Sequence, residues 1–99
     1  MKKILAIDDQ KDNLTTIKAV IKAYIPDAVV YEALSGNEGV NMARELQPDV
    51  ILLDIIMPVM DGYQTCKALK KEESTKHIPI IMLTAIRTDA DSRVKGLDI

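Results

Sequence analysis

Short aliphatic runs that stop at oxygen-bearing side chains dictate most of what this chain can become. Ile4-Leu5-Ala6-Ile7 ends in Asp8-Asp9, Val50-Ile51-Leu52-Leu53 ends in Asp54, and Ile78 to Leu83 ends in Thr84. Runs that are apolar throughout, yet too short for helices, read as strands buried on both faces, as in a parallel sheet covered by helices. If the three strands are parallel neighbours, their ends bring three carboxylates and a hydroxyl to one rim of the sheet.

The segments between the runs carry helical patterns, so strands and helices alternate. Leu14, Ile17, Ile21, Tyr24 and Ile25 recur at helical spacing until Pro26 stops them. A second strand is expected over Ala28 to Tyr31. Ser35-Gly36-Asn37-Glu38 has the form of a capping box, with Ser35 as N-cap and Glu38 reaching back to its amide. The helix it opens carries Val40, Ala43 and Leu46 inward and ends before Pro48. Asp61 to Gln64 can cap a third helix running to about Lys71, with Cys66 and Leu69 on its buried side. Pro79 sits near the start of the fourth strand, where a missing N–H is tolerated. A weaker helical pattern spans Thr88 to Gly96, with Ala90, Val94 and Leu97 as apolar positions. Right-handed crossovers then give a doubly wound α/β sheet of order 2-1-3-4. The first and third strands meet at its switch point, where such sheets bind ligands.

Composition sets the outer limits. The 99 residues suffice for a single domain (residues 1–99) with a real core. With no Phe or Trp and three Tyr, that core must be aliphatic and Met-rich. Fifteen acidic residues against thirteen basic ones leave a net charge of -2, which gives no nucleic-acid surface. No apolar stretch is long enough to span a membrane, and Asp8-Asp9 interrupts the only stretch placed like a signal peptide. The single Cys66 excludes an internal disulfide framework and fits a reducing compartment, so a cytoplasmic location is expected.

The acidic rim carries the chemistry. Two unit charges about 4 Å apart interact by roughly 4 kcal/mol at an effective dielectric near 20. Three gathered carboxylates therefore call for a cation. An all-oxygen donor set without His or Cys suits Mg²⁺ better than zinc or copper. A carboxylate beside Mg²⁺ can attack phosphorus and form an aspartyl-phosphate, with Thr84 and loop amides as donors to the phosphoryl oxygens. Singly, Asp8 or Asp9 would read as a helix cap and Thr84 as an ordinary strand end. Asp54 has no helix immediately after it to cap. The stretch Asp8 to Asn13 is oxygen-rich but lacks the central Gly and terminal Glu of an EF-hand loop. A flavin or nucleotide would want amide-rich turns there, and this loop is acidic instead. His77 reads as a surface loop residue and Cys66 as core.

These residues resemble a known family. Asp8-Asp9, the stretch Asp54-Ile55-Ile56-Met57-Pro58-Val59-Met60-Asp61-Gly62, and Thr84-Ala85 look like a response-regulator receiver domain of two-component signalling. The resemblance runs over the whole chain, and the Asp-x-x-Met-Pro-x-Met-Asp-Gly stretch is its specific part. It implies a flavodoxin-like domain in which Asp54 takes a phosphoryl group from the phosphohistidine of a histidine kinase or phosphotransfer domain. It also implies Mg²⁺ ligation by Asp9, Asp54 and the backbone carbonyl of Ile56, with Asp8 acting mainly through water. Thr84 would contact the phosphoryl group and carry the switch.

Members of the family continue with a fifth strand, a Lys-Pro step and a fifth helix, whereas this chain ends at Ile99. The resemblance therefore implies a C-terminally incomplete domain, impaired in phosphorylation. It also implies self-association through the edge of the fourth strand. Two alternatives belong to other classes. A metal-dependent aspartyl-phosphate phosphohydrolase would need an acid/base two residues after its nucleophile, and apolar Ile56 stands there. A phosphorylation-independent interaction module would not bind Mg²⁺.

Overall fold

The computed structural model describes residues 2–55, 57 and 60–83. In chain order these form β1 (Lys3–Ile7), α1 (Lys11–Tyr24), β2 (Val29–Ala33), α2 (Gly36–Leu46), β3 (Val50–Asp54), α3 (Gly62–Lys71) and β4 (Ile80–Leu83). The four strands make one sheet of order β2-β1-β3-β4, and every pairing is parallel. That is the order expected from the alternation of aliphatic runs and helical patterns. The expected helix over Thr88 to Gly96 lies outside the described residues.

Side chains alternate across the strands, so one strand feeds two cores. Leu5, Ile7, Ile51 and Leu53 point to the face covered by α2 and α3, where they pack with Val40, Ala43, Leu69 and Ile78. Ala6 points the other way, toward Leu14 and Ile17 of α1, with Leu52 and Leu83 packed against them. Burial on both faces explains why the strand sequences are apolar throughout rather than alternating.

Several boundaries differ from the sequence reading. The second strand is Val29–Ala33 rather than Ala28 to Tyr31, because its register follows β1, with Lys3 opposite Val29 and Ile7 opposite Ala33. The fourth strand starts at Ile80. Ile78 is fully buried but belongs to the preceding turn, its amide donating to Thr75 and its carbonyl accepting from Lys70 Nζ at 2.8 Å. The apolar stripe of α1 fades before the helix ends: Tyr24 is 83% exposed and Ile25 40% exposed. Leu46 and Cys66 are half-buried, and Thr65 takes a fully buried place on α3 that no apolar pattern announced.

Capping follows the sequence closely. Asp61 Oδ1 accepts from the Gln64 amide, and Gln64 Oε1 accepts from the Asp61 amide, both at 2.9 Å. At α2, Ser35 Oγ accepts from the Glu38 amide at 3.1 Å. The return bond lands one residue earlier than expected, from the Leu34 amide to Glu38 Oε1 at 2.8 Å.

Candidate functional site

The sheet register assembles the site. Ile7 of β1 lies opposite Leu53 of β3, so the residues that follow them, Asp8 and Asp54, emerge side by side at the carboxyl ends. Asp54 is itself the last residue of β3, paired with Leu83. Asp9 extends the first strand's end toward them. A carboxylate oxygen from each of Asp8, Asp9 and Asp54 lies within 4.8 Å of the other two. Asp8 is only 1% exposed and Asp54 4%. Two nearly buried carboxylates beside a third are costly for a fold to gather unless their charge is compensated.

The surroundings hold these acids in place. The Asp8 amide donates to the Ala33 carbonyl at 3.0 Å, tying the end of β1 to β2. Asp8 Oδ1 accepts from the Gln10 amide at 2.9 Å, and Oδ2 accepts from Asn13 Nδ2 at 3.2 Å. Asp8 thus does not cap α1 in the usual way; the N-cap is Gln10, which makes no side-chain cap bond. On the other side, the Gly62 amide donates to the Ile55 carbonyl at 2.8 Å. The α3 N-terminus approaches the strand end so closely that a Cβ at Gly62 would collide with the Asp54 carbonyl oxygen and with Ile55 Cα. A cavity of about 270 Å³ adjoins the acids, lined by Asp9, Leu34 to Asn37, Met57 and Met60.

An all-oxygen set of this charge suits a hard divalent cation. It is the only such group of His, Cys, Asp or Glu among the described residues. Of the residues singled out from sequence, Asp8, Asp9 and Asp54 are brought together, while Ile56 and Thr84 lie outside the described residues. Sequence reasoning passed over Asn13 as a donor to Asp8. Its only signal was an amide side chain in the first turn of the helix that follows the acidic pair.

A parallel sheet of this order, with acids at the ends of its two central strands, defines a class of signalling domain. The chain belongs to the response regulator receiver domain family, whose model matches residues 4–99. Among curated relatives it is 38% identical over 96 residues to the response regulator PleD of Caulobacter vibrioides, covering 97% of this chain and 20% of that protein. It is 34% identical over 91 residues to protein PilH of Pseudomonas aeruginosa, covering 92% of this chain and 74% of PilH. The chain therefore spans about a fifth of PleD and most of PilH.

Among solved structures, the Vibrio cholerae chemotaxis protein CheY4 superposes with a TM-score of 0.78 at 31% identity, over 99% of this chain and 79% of that one. The receiver domain of the sensor histidine kinase PA1611 from Pseudomonas aeruginosa gives 0.77 at 29% identity, over 95% and 77% of the two chains. That structure has a magnesium ion coordinated in its active-site cleft. The fold is thus flavodoxin-like, as the sequence implied, and the chain is a receiver domain of the two-component response regulators. Among the described residues, no helix is long and apolar enough to cross a membrane.

Proposed function

We propose that this domain is a phosphorylation switch in which Asp54 accepts a phosphoryl group from the phosphohistidine of a histidine kinase or phosphotransfer domain. The observation that carries the reading is the meeting of Asp8, Asp9 and Asp54 within 4.8 Å at the ends of adjacent strands. Asp9 and Asp54 would hold Mg²⁺ with the Ile56 carbonyl, and Asp8 would act through water. The magnesium in the cleft of the PA1611 receiver domain supports that ligand class. Bound there, Mg²⁺ supplies positive charge against the charge developing on the phosphoryl oxygens.

The chain's own residues do the rest. An Asp54 carboxylate oxygen attacks phosphorus as the bond from phosphorus to the donor imidazole nitrogen breaks, and the electron pair leaves with the imidazole. The Thr84 hydroxyl donates to a phosphoryl oxygen and reports the modification. Ile56 offers neither acid nor base to water, so the acyl phosphate persists and the domain acts as a switch rather than a turnover catalyst.

Acetyl phosphate with Mg²⁺, followed by intact mass measurement, tests the reading. One added phosphoryl group is expected on the unaltered chain and none on Asp54→Ala. An adduct that survives the substitution would overturn the assignment of Asp54.

A further inference from the structure

Asp8 raises a question that the phosphoryl chemistry leaves open: what keeps its carboxylate aimed at its neighbours when charge repulsion would turn it away? The side chain is 1% exposed and sits within 4.8 Å of two further carboxylates. Rotation about its last torsion is a soft motion, because a carboxyl group has only broad, two-fold preferences there. Left to electrostatics, the group would rotate to lengthen its distances to Asp9 and Asp54. Two donors oppose that rotation. The Gln10 amide holds Oδ1 in a turn, and Asn13 Nδ2 holds Oδ2 from the first turn of α1. Asn13 is itself fixed by its own amide, which donates to the Gln10 carbonyl at 3.1 Å.

We propose that Asn13 is a positioning residue for the cation site, holding the Asp8 carboxylate in the orientation that Mg²⁺ and its water shell require. The proposal rests on the reading of the acidic trio as that site. The chemistry explains why an amide suits this position. A lysine or arginine there would bind the trio itself and repel the cation. An apolar residue would leave Oδ2 without this donor in a nearly buried setting. A neutral amide fixes the carboxylate without competing for its charge, as hydrogen-bonding partners of metal-site groups commonly do. Because Gln10 and Asn13 grip opposite oxygens of Asp8, the stretch from Asp8 to Asn13 works as one cradle. The oxygen-rich character of that segment then belongs to the metal site rather than to a separate calcium loop.

The test is a Mg²⁺ titration by calorimetry on the unaltered chain, Asn13→Ala and Asn13→Leu, with melting curves recorded with and without Mg²⁺. Loss of such an outer partner typically weakens metal binding by 10–100-fold. Asp8 acts through water, so a loss of about tenfold, at the low end of that range, is expected. Alanine is the better helix former, which offsets part of the lost hydrogen bond to Asp8, so the metal-free melting temperature should fall only slightly in Asn13→Ala while the rise on adding Mg²⁺ shrinks. Variants that bind Mg²⁺ within about twofold of the unaltered chain would overturn the proposal, since outer partners normally act more strongly than that. So would a loss of affinity matched by an equal fall in metal-free melting temperature, which would make Asn13 merely structural. If the unaltered chain binds no Mg²⁺, both the site reading and this inference fall.

Discussion

The two faces of the sheet are built differently, although the same strands supply both. Among the described residues, the α2/α3 face gathers a continuous buried cluster from Leu5 and Ile7 through Ile51 and Leu53 to Leu69 and Ile78. The α1 face gathers a smaller cluster of Ala6, Leu14, Ile17 and Val30. There the described residues leave an apolar groove of about 270 Å³ lined by Thr16, Ile17, Val20, Ile21, Leu52 and Leu83. The contrast shows where each helix is anchored. The α3 N-terminus lies directly behind Asp54, Leu69 anchors its other end in the core, and α2 packs against both α3 and β1. α1 is fixed most firmly at its first turn, where Asn13 and Gln10 hold Asp8, and its apolar contacts thin out toward Tyr24.

Core truncation should separate the two faces most strongly. Leu53→Ala, in the larger cluster, is expected to cost about 3–5 kcal/mol in urea denaturation. Leu14→Ala is expected to cost about 2–3 kcal/mol, because side chains bordering a groove can relax into the space it vacates. Equal losses would break the contrast. A gentler probe exchanges a methyl for a hydroxyl at constant shape. Val40→Thr on α2 buries a hydroxyl and should cost about 1–3 kcal/mol, whereas half-exposed Val20→Thr on α1 should stay within about 0.5 kcal/mol. A large loss at Val20 would show that the groove is packed in solution.

The smallest effect concerns the surface clamp on the denser face. Arg44 Nε donates to Glu72 Oε2, joining α2 to the segment after α3, and Ser74 Oγ donates to the same oxygen at 2.9 Å. The hydrogen bond from Arg44, followed by that from Ser74, holds the Glu72 carboxyl below its ordinary value of 4.5. A carboxylate lowered by folding stabilises the fold above its unfolded-state value and loses that contribution as pH falls through the folded one. Glu72→Gln should therefore lower the melting temperature slightly at pH 7 and leave it unchanged at a pH well below 4.5. Salt should shrink the difference at pH 7, because the pair is exposed. A large, salt-independent loss would mean that the clamp, rather than the core beneath it, sets the rigidity of this face.

Much of the architecture was legible because aliphatic runs and capping boxes are local signals. Ile4 to Ile7 and Val50 to Leu53 carry the continuous apolarity of strands buried on both faces, and their acidic ends mark the rim in the sequence itself. The less legible features are those fixed by partners distant in sequence. β2 extends to Ala33 because β1 offers it a partner that far. Tyr24 keeps the helical spacing of Leu14 and Ile17, yet among the described residues it covers little and is largely exposed. Thr75 is buried because its hydroxyl donates to the Leu69 carbonyl at 2.7 Å, closing the turn after α3. Asn13 was hidden for the same reason. A polar residue in the first turn of a helix is ordinary in sequence, and only the fold shows which carboxylate it holds.

The contact at Gly62 has a mechanical consequence. With no side chain between the start of α3 and the backbone of Asp54 and Ile55, the strand end and the helix meet without a compressible layer. A shift of the Asp54 backbone cannot be absorbed there by a rotamer change. It bears directly on the first turn of α3. A single missing methyl thus ties the position of the helix start to that of the Asp54 backbone.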